Sequence, residues 1–255
     1  MVEKDDDVRT GNEIQAVDRT AQILRLFGPE TPEITAGEAA ERLGLNRTTT
    51  YRYCMSLLAS GLLERGTTSG TFAPGALLMQ LGAFALGRRK VVDLAPPLMR
   101  ELCRLTGLTA VLSLWGSTGP IVSRVEEESS RTVLVTVRVG TQLTLTAAQT
   151  KIFLAHMPDQ LAADRLLGSL PADQRATLTE ELRALAGTDR VAMSPDGFGI
   201  HAMAAPVFDE YGVCASLALV ATDDLLPLDP EGSTASHLRS TARALSTVMG
   251  GTKRS

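Results

Sequence analysis

"AGEAAERLGLNRTTTYRYCMSLLASGLLERG", residues 36–66, holds two helical segments separated by a glycine turn. Thr35, just ahead of it, and Glu38 form a capping-box pair: the hydroxyl and the carboxylate satisfy the free amides at a helix start. That helix closes at Gly44, and Asn46 is a good N-cap for the next, which runs to about Ser60 with Gly61 as its stop. Turned at about 100° per residue, this later helix puts Thr50, Tyr51, Cys54, Leu57 and Leu58 on one stripe, expected to pack. Thr48, Thr49, Arg52 and Ser56 fall on the other side. From Asn46 to Tyr53 there are three threonines, two arginines and two tyrosines, and no acid.

Outward from this stretch, Val17, Ala21, Leu24 and Phe27 have helical spacing and stop at "GPETPE", predicting an earlier helix. Downstream, "LLER" and "TFA" read as two short strands joined by "GTTSG", a turn with hydroxyls and no charge. Three helices, a tight glycine turn between the last two, and a two-stranded ribbon are the order of a winged helix-turn-helix. In that arrangement the third helix enters the major groove with its N-terminal residues over base edges. Hydroxyls suit phosphate or base, arginine forks onto guanine, and a carboxylate would repel the backbone. The candidate DNA-binding residues are Thr35, Asn46, Arg47, Thr48, Thr49, Thr50, Tyr51, Arg52 and Ser56, with Thr67, Thr68 and Ser69 on the wing turn. Residues 13–75 carry six arginines against seven acids, so the local arrangement, and not net basicity, carries this reading.

The chain of 255 residues has a net charge of −4 and is 44% hydrophobic, an ordinary soluble composition that excludes wholesale affinity for polyanions. Cys54, Cys103 and Cys214 are too widely spaced for a disulfide framework or a zinc set, which fits a reducing cytoplasm. The charged N-terminus is unlike a signal peptide and reads as a disordered acidic tail, 1–12. Ala76–Gly87 is apolar but too short for a membrane span. No membrane partner is expected.

These motifs together resemble the IclR family of transcriptional regulators. The resemblance rests on "QAVDRTAQILRLF" (15–27), "AAERLGLNRTTTYRYCMSLLASGLLER" (39–65), "SGTFAPG" (69–75) and "GIHAMAAPVFDEYG" (199–212), in the family's order. It implies a winged-helix domain, a linker helix and a GAF-like effector-binding domain, assembled as dimers or tetramers. Expected boundaries are 13–75, 76–92 and 93–255.

The rest of the chain reads as α+β without that label. "ALLMQLGAFALGRRK", residues 76–90, is apolar nearly all round and predicts a helix buried against more than one partner. "APP" at 95–97 is expected to break or kink the path before "LMRELCRLTG". "TAVLSLW", "PIVSRVE" and "TVLVTVRV" read as strands, followed by helices at "AAQTKIFLAHM" and near 161–167 and 176–186. Two further strands, "GIHAMAAPVF" and "GVCASLALVA", precede a last helix with Asp229 as cap and Pro230 at its first position. A mainly antiparallel sheet with helices over one face follows.

Enzymatic motifs are missing: no phosphate loop, no His-Glu-x-x-His, no Gly-x-Ser-x-Gly. Gly197, Gly199 and Ala202 match a loose dinucleotide pattern but run into a strand instead of opening a helix. His156, His201 and His237 lack metal spacing. The reading is therefore a regulator and not an enzyme, with no cofactor.

Relatives that bind small oxo-acids hold the carboxylate on a glycine-containing loop and use polar side chains on the late strands. Here the loop is "LTLTAAQTKIFLA", residues 143–155, with Gln149 and Thr150 where backbone would approach the anion. By that resemblance the three polar positions fall near Ala192, at Ala202 and at Ala218, leaving Ser216 as the nearest hydroxyl. The candidate effector-binding residues are Leu143, Leu145, Thr146, Ala147, Ala148, Gln149, Ala192, Ala202, Ser216 and Ala218, and the expectation is either an effector larger and more apolar than a two- or three-carbon oxo-acid or a domain that has lost ligand control. Partners are then an operator duplex, a small-molecule effector and a second copy of the chain. The alternative is a sensor that acts through a protein partner with little DNA binding.

Overall fold

The computed structural model describes residues 14–87, 89–127, 135, 137–195 and 199–251. The tail expected at 1–12 lies outside them. The chain divides into two compact units that meet between Leu86 and Gly87.

The N-terminal unit begins with α1 (Gln15–Leu24), followed by β1 (Ile34–Thr35), α2 (Ala36–Leu43) and α3 (Arg47–Ala59). β2 (Leu63–Arg65), β3 (Thr71–Pro74) and α4 (Ala76–Gly87) complete it. The capping box is formed: Thr35 Oγ1 accepts from the Glu38 amide at 3.1 Å while Glu38 Oε2 accepts from the Thr35 amide at 2.8 Å. Gly44 ends α2 at φ +63°, a left-handed conformation in which other residues are strained. Asn46 Oδ1 then accepts from the amides of Thr48 at 2.9 Å and Thr49 at 3.3 Å, as an N-cap should.

A small core of Ile23, Ala36, Cys54, Leu57, Leu63 and Phe72 holds the three helices to the ribbon. Two expectations change here. Val17 is exposed, so the packed face of α1 centres on Ile23 with Leu24 and Phe27 beside it. The ribbon has a third strand, since β1 pairs antiparallel with β3 through Ile34–Phe72 and Thr35–Thr71. Two residues are too few to show a period of two in sequence.

The C-terminal unit begins with α5 (Lys90–Thr106), which runs straight through the expected break at 95–97 with Pro96 and Pro97 inside it. A proline in a helix interior costs about 3 kcal/mol or more. Opposing it, Val91, Ala95, Met99, Leu102 and Cys103 are buried on one face, at roughly 1.5–3 kcal/mol for each large side chain.

β4 (Thr109–Trp115) and β5 (Pro120–Glu126) follow, then α6 (Ala148–His156), α7 (Gln160–Leu167) and α8 (Ala172–Leu185). β6 (Ala192–Pro195), β7 (Ile200–Phe208), β8 (Val213–Thr222) and α9 (Ser233–Val248) close the unit. The five strands form one antiparallel sheet in the order β5-β4-β8-β7-β6. Of the expected strand "TVLVTVRV", residues 132–134 and 136 lie outside the described residues, and Val135 and residues 137–139 are not in a strand.

Helices cover both faces of this sheet, where one covered face was expected. Leu112, Met203, Ala205, Val207, Leu217 and Leu219 pack with α5 and α9, while Ala192, Ala204 and Ala218 pack with α6, α7 and α8. The reason is visible in the strands: β8 is buried without interruption from Ala215 to Ala221, which only two covering layers allow. α9 also starts later than expected. Asp229 Oδ1 accepts from the Glu231 amide at 3.0 Å, closing a turn ahead of the helix, and Gly232 takes the cap position.

Candidate nucleic-acid interface and effector site

α3 presents Asn46, Arg47, Thr48, Thr49, Tyr51, Arg52 and Ser56 to solvent, all within its first three turns. Arg47 is partly braced, because its guanidinium lies against Gly37 of α2, close enough that a Cβ there would sit 3.5 Å from it. Two positions on the helix are corrected. Thr50 is fully buried and its hydroxyl donates to the Asn46 carbonyl at 3.0 Å, so it belongs to the packed stripe and cannot reach a duplex. Tyr51 is 50% exposed, because one residue's rotation of about 100° carries it off that stripe.

The wing turn is also different from its sequence reading. Its charge-free run closes around a carboxylate from elsewhere: Glu33 Oε1 accepts from the Thr67 amide at 2.8 Å and the Thr67 hydroxyl at 2.7 Å. Its other oxygen accepts from the Thr68 amide at 3.2 Å and the Thr71 hydroxyl at 2.6 Å. These four donors, Thr71 foremost, pull the Glu33 pKa down from 4.5 to about 2. Thr67 has thus committed its only hydroxyl proton, as Thr35 has to Glu38 at 2.8 Å, and neither can donate it to phosphate as expected. Thr68 and Ser69 keep exposed side chains. Arg65, not foreseen, stacks its guanidinium on Phe72 at 5.1 Å on the same ribbon and is exposed.

In the C-terminal unit, the sheet face under α6 carries the candidate effector residues. Ala192, Ala204, Ala218 and Val111 stand in one row across β6, β7, β8 and β4. Ala202 lies in the next row, beside Ser194 and Val220, and joins Leu143 in a neighbouring apolar cluster. Ser216 is opposite Ser113 in the β4–β8 pair, on the same face as Val111 and Ala218. Both hydroxyls are fully buried, and among the described residues neither has a hydrogen-bond partner. A buried unmet hydroxyl costs on the order of 1–3 kcal/mol.

The loop residues separate. Gln149 is buried, and its Nε2 donates to the carbonyls of Val111 and Ser216, each at 3.2 Å, so its amide lies over the strands. Ala148, the first residue of α6, packs in the core. Thr150 is spent on the loop, donating to the Thr144 carbonyl at 2.7 Å. Leu145 and Ala147 are half-buried, and Thr146 faces an open cleft of about 290 Å³ shared with Lys151, Asp173, Gln174, Thr177, Leu178 and Glu181. Lys151 donates to the Met193 carbonyl at 2.8 Å and pairs with Glu181 at 2.7 Å. The sequence reading missed Ser113, Lys151 and Glu181, although a lone lysine inside the apolar run "KIFLA" was a signal that it needed a partner.

A winged helix-turn-helix joined to a ligand-binding α+β domain defines a class: one-chain, DNA-binding transcriptional regulators with an effector domain. The profile described as the IclR helix-turn-helix domain matches residues 16–66, and that of the bacterial transcriptional regulator IclR C-terminal domain matches residues 83–247. The chain belongs to the IclR family, whose members are transcriptional regulators and not enzymes. It is 28% identical over 213 residues to the HTH-type transcriptional regulator BhcR of Paracoccus denitrificans, covering 80% of this chain and 75% of that one. It is also 28% identical to the glycerol operon regulatory protein of Streptomyces griseus, over 93% of this chain and 97% of that protein. A solved IclR-type structure from a Silicibacter species shares the fold with a TM-score of 0.81 at 22% identity, covering 93% and 97% of the two chains.

Among the described residues no helix is long and apolar enough to cross a membrane.

Proposed function

We propose that this regulator reads operator DNA through Asn46, Arg47, Thr48, Thr49, Tyr51, Arg52 and Ser56 of α3, aided by Thr68 and Ser69 of the wing, in the cytoplasm. Arg52 is the base-reading residue, able to fork onto guanine. Its operator affinity is set by linkage: an effector that favours one arrangement of the chain changes the spacing of two reading helices over half-sites. The exposed side chains of Leu77, Met79, Leu81, Phe84 and Leu86 on α4 support self-association, since so apolar a helix is costly to leave in water.

The observation that carries the ligand reading is the alanine row Ala192, Ala204, Ala218 beneath a buried Gln149. Among the described residues it provides apolar surface and no free amide nest for a two- or three-carbon oxo-acid, and the one ammonium close by, Lys151, is taken up by Glu181 and the Met193 carbonyl. The effector is a larger, mostly apolar molecule with one polar end, which Ser216 and Ser113 would meet. Two measurements test this. Fluorescence anisotropy on DNA upstream of the gene, at several salt concentrations, should show selective binding that Arg52→Ala weakens by roughly 1–3 kcal/mol. Calorimetry should show weak binding of pyruvate and glyoxylate beside branched or aromatic monocarboxylates; micromolar affinity for either oxo-acid would refute the ligand reading.

A further inference from the structure

We propose that Glu33 is a positioning residue for DNA binding: it is a built-in anion that fills the wing turn and sets the shape in which the wing meets the duplex. The proposal rests on the reading that α3 and the wing turn engage DNA. Its warrant is the convergence of four donors from three residues, the amides of Thr67 and Thr68 and the hydroxyls of Thr67 and Thr71, on the two oxygens of one side chain 34 to 38 positions away in sequence. Successive backbone amides turned to one point form a nest that takes an anion. In most settings that anion would be a phosphate; here the nest is filled from within.

The surrounding residues enforce the arrangement. The Thr71 hydroxyl lies 2.6 Å from both the Thr68 carbonyl and Glu33 Oε2, so its one proton is shared across the turn. A Cβ at Gly66 would fall on the Thr71 hydroxyl and the Glu33 carboxylate, so a side chain there would push these two groups out of their present contact. β1 follows Glu33 directly and pairs with β3, which fixes the backbone from which the carboxylate reaches. With the nest occupied, the wing offers DNA the side chains of Thr68 and Ser69 and not the Thr67 hydroxyl. Glu33 therefore touches no base but decides which wing groups do.

The test uses the full chain with Glu33→Ala, Thr71→Val and Arg52→Ala, on a duplex recovered by selection from random DNA. Hydroxyl-radical footprints separate the outer flanks of each half-site, where the wing lies, from the centre read by α3. Glu33→Ala should lose flank protection, keep the central footprint and weaken affinity about tenfold, and Thr71→Val, which removes one donor while keeping side-chain volume, should do the same about threefold. A role confined to stability would lower the melting temperature and leave the flanks unchanged. Unchanged flanks in both variants overturn the proposal, as does tighter binding by Glu33→Ala, which would mean that the carboxylate only repels phosphate. Arg52→Ala tells this apart from failure of the underlying reading: if wild type binds selectively and Arg52→Ala does not, α3 is the reader whatever Glu33 does. If wild type selects no duplex, both fall.

Discussion

Lys151 Nζ lies 2.7 Å from Glu181 Oε2, an ion pair joining α6 to α8 in which the lysine side chain is 10% exposed and the glutamate 44%. The asymmetry gives the two partners different weights. Removing Glu181 leaves a nearly buried ammonium with, among the described residues, the Met193 carbonyl, whereas removing Lys151 leaves a carboxylate that can turn to water. Glu181→Ala should therefore cost about 1–3 kcal/mol and Lys151→Met less than about 1 kcal/mol, by urea denaturation at neutral pH. Equal losses would mean that the pair is solvent-screened on both sides.

Thr50 and Arg52 are two residues apart on α3 yet should respond in opposite ways. Thr50→Val keeps the volume but removes the hydroxyl that donates to Asn46, and should cost roughly 1 kcal/mol of stability with no change in DNA affinity beyond twofold. Arg52→Ala should leave stability within about 0.5 kcal/mol, being an exposed change, and weaken DNA binding. Thermal melts and anisotropy on the same preparations compare the two. A Thr50→Val protein that melts normally and binds poorly would return Thr50 to the interface.

These contrasts show what the sequence could tell. The caps at Thr35 and Asn46, the glycine stop at Gly44 and the stripe through Cys54 and Leu57 are local signals, set by neighbours within four positions, and they were readable. Long-range contacts were not: nothing near Glu33 in sequence points to Thr67 or Thr71, and the two-residue strand β1 has no period. In the C-terminal unit, the sequence singles out the alanines at 192, 202 and 218, but which of them share a row depends on register, which puts Ala204 with Ala192 and Ala218 and moves Ala202 aside. The covering of both sheet faces is legible in the unbroken apolar run of "CASLALVA", which does not alternate as a half-exposed strand does.

Gly75 ends the ribbon and precedes α4, and a Cβ there would press on the backbone of Gly61 and Leu63. No side chain can swing away from such a contact, so the backbone itself must shift. The Gly75 amide also donates to the Leu62 carbonyl at 2.9 Å, tying the same segment. Gly75→Ala should cost about 1–3 kcal/mol, read as a lower melting temperature, while Gly82→Ala, with open space around it, should stabilise α4 by up to about 1 kcal/mol. Two equal, small effects would show that the backbone there gives way freely.

The Glu33 carboxylate predicts a pH dependence whose sign follows from its partners. Its pKa is lowered to about 2 in the folded chain from an ordinary 4.5, so the folded state binds this proton less readily than the unfolded chain does. The stabilisation it provides is fully present above pH 4.5 and is lost as pH falls from 4.5 towards 2. Glu38 and Glu101 are shifted the same way, by the Thr35 cap and by Arg104, so acid alone destabilises the chain through several groups. Comparing wild type with Glu33→Gln isolates one of them. Urea denaturation at intervals across the acid range should show the advantage of wild type over Glu33→Gln shrinking steadily below pH 4.5. A difference that stays constant down to the acid limit would show that protonating Glu33 costs the fold nothing, and that the charge itself adds nothing.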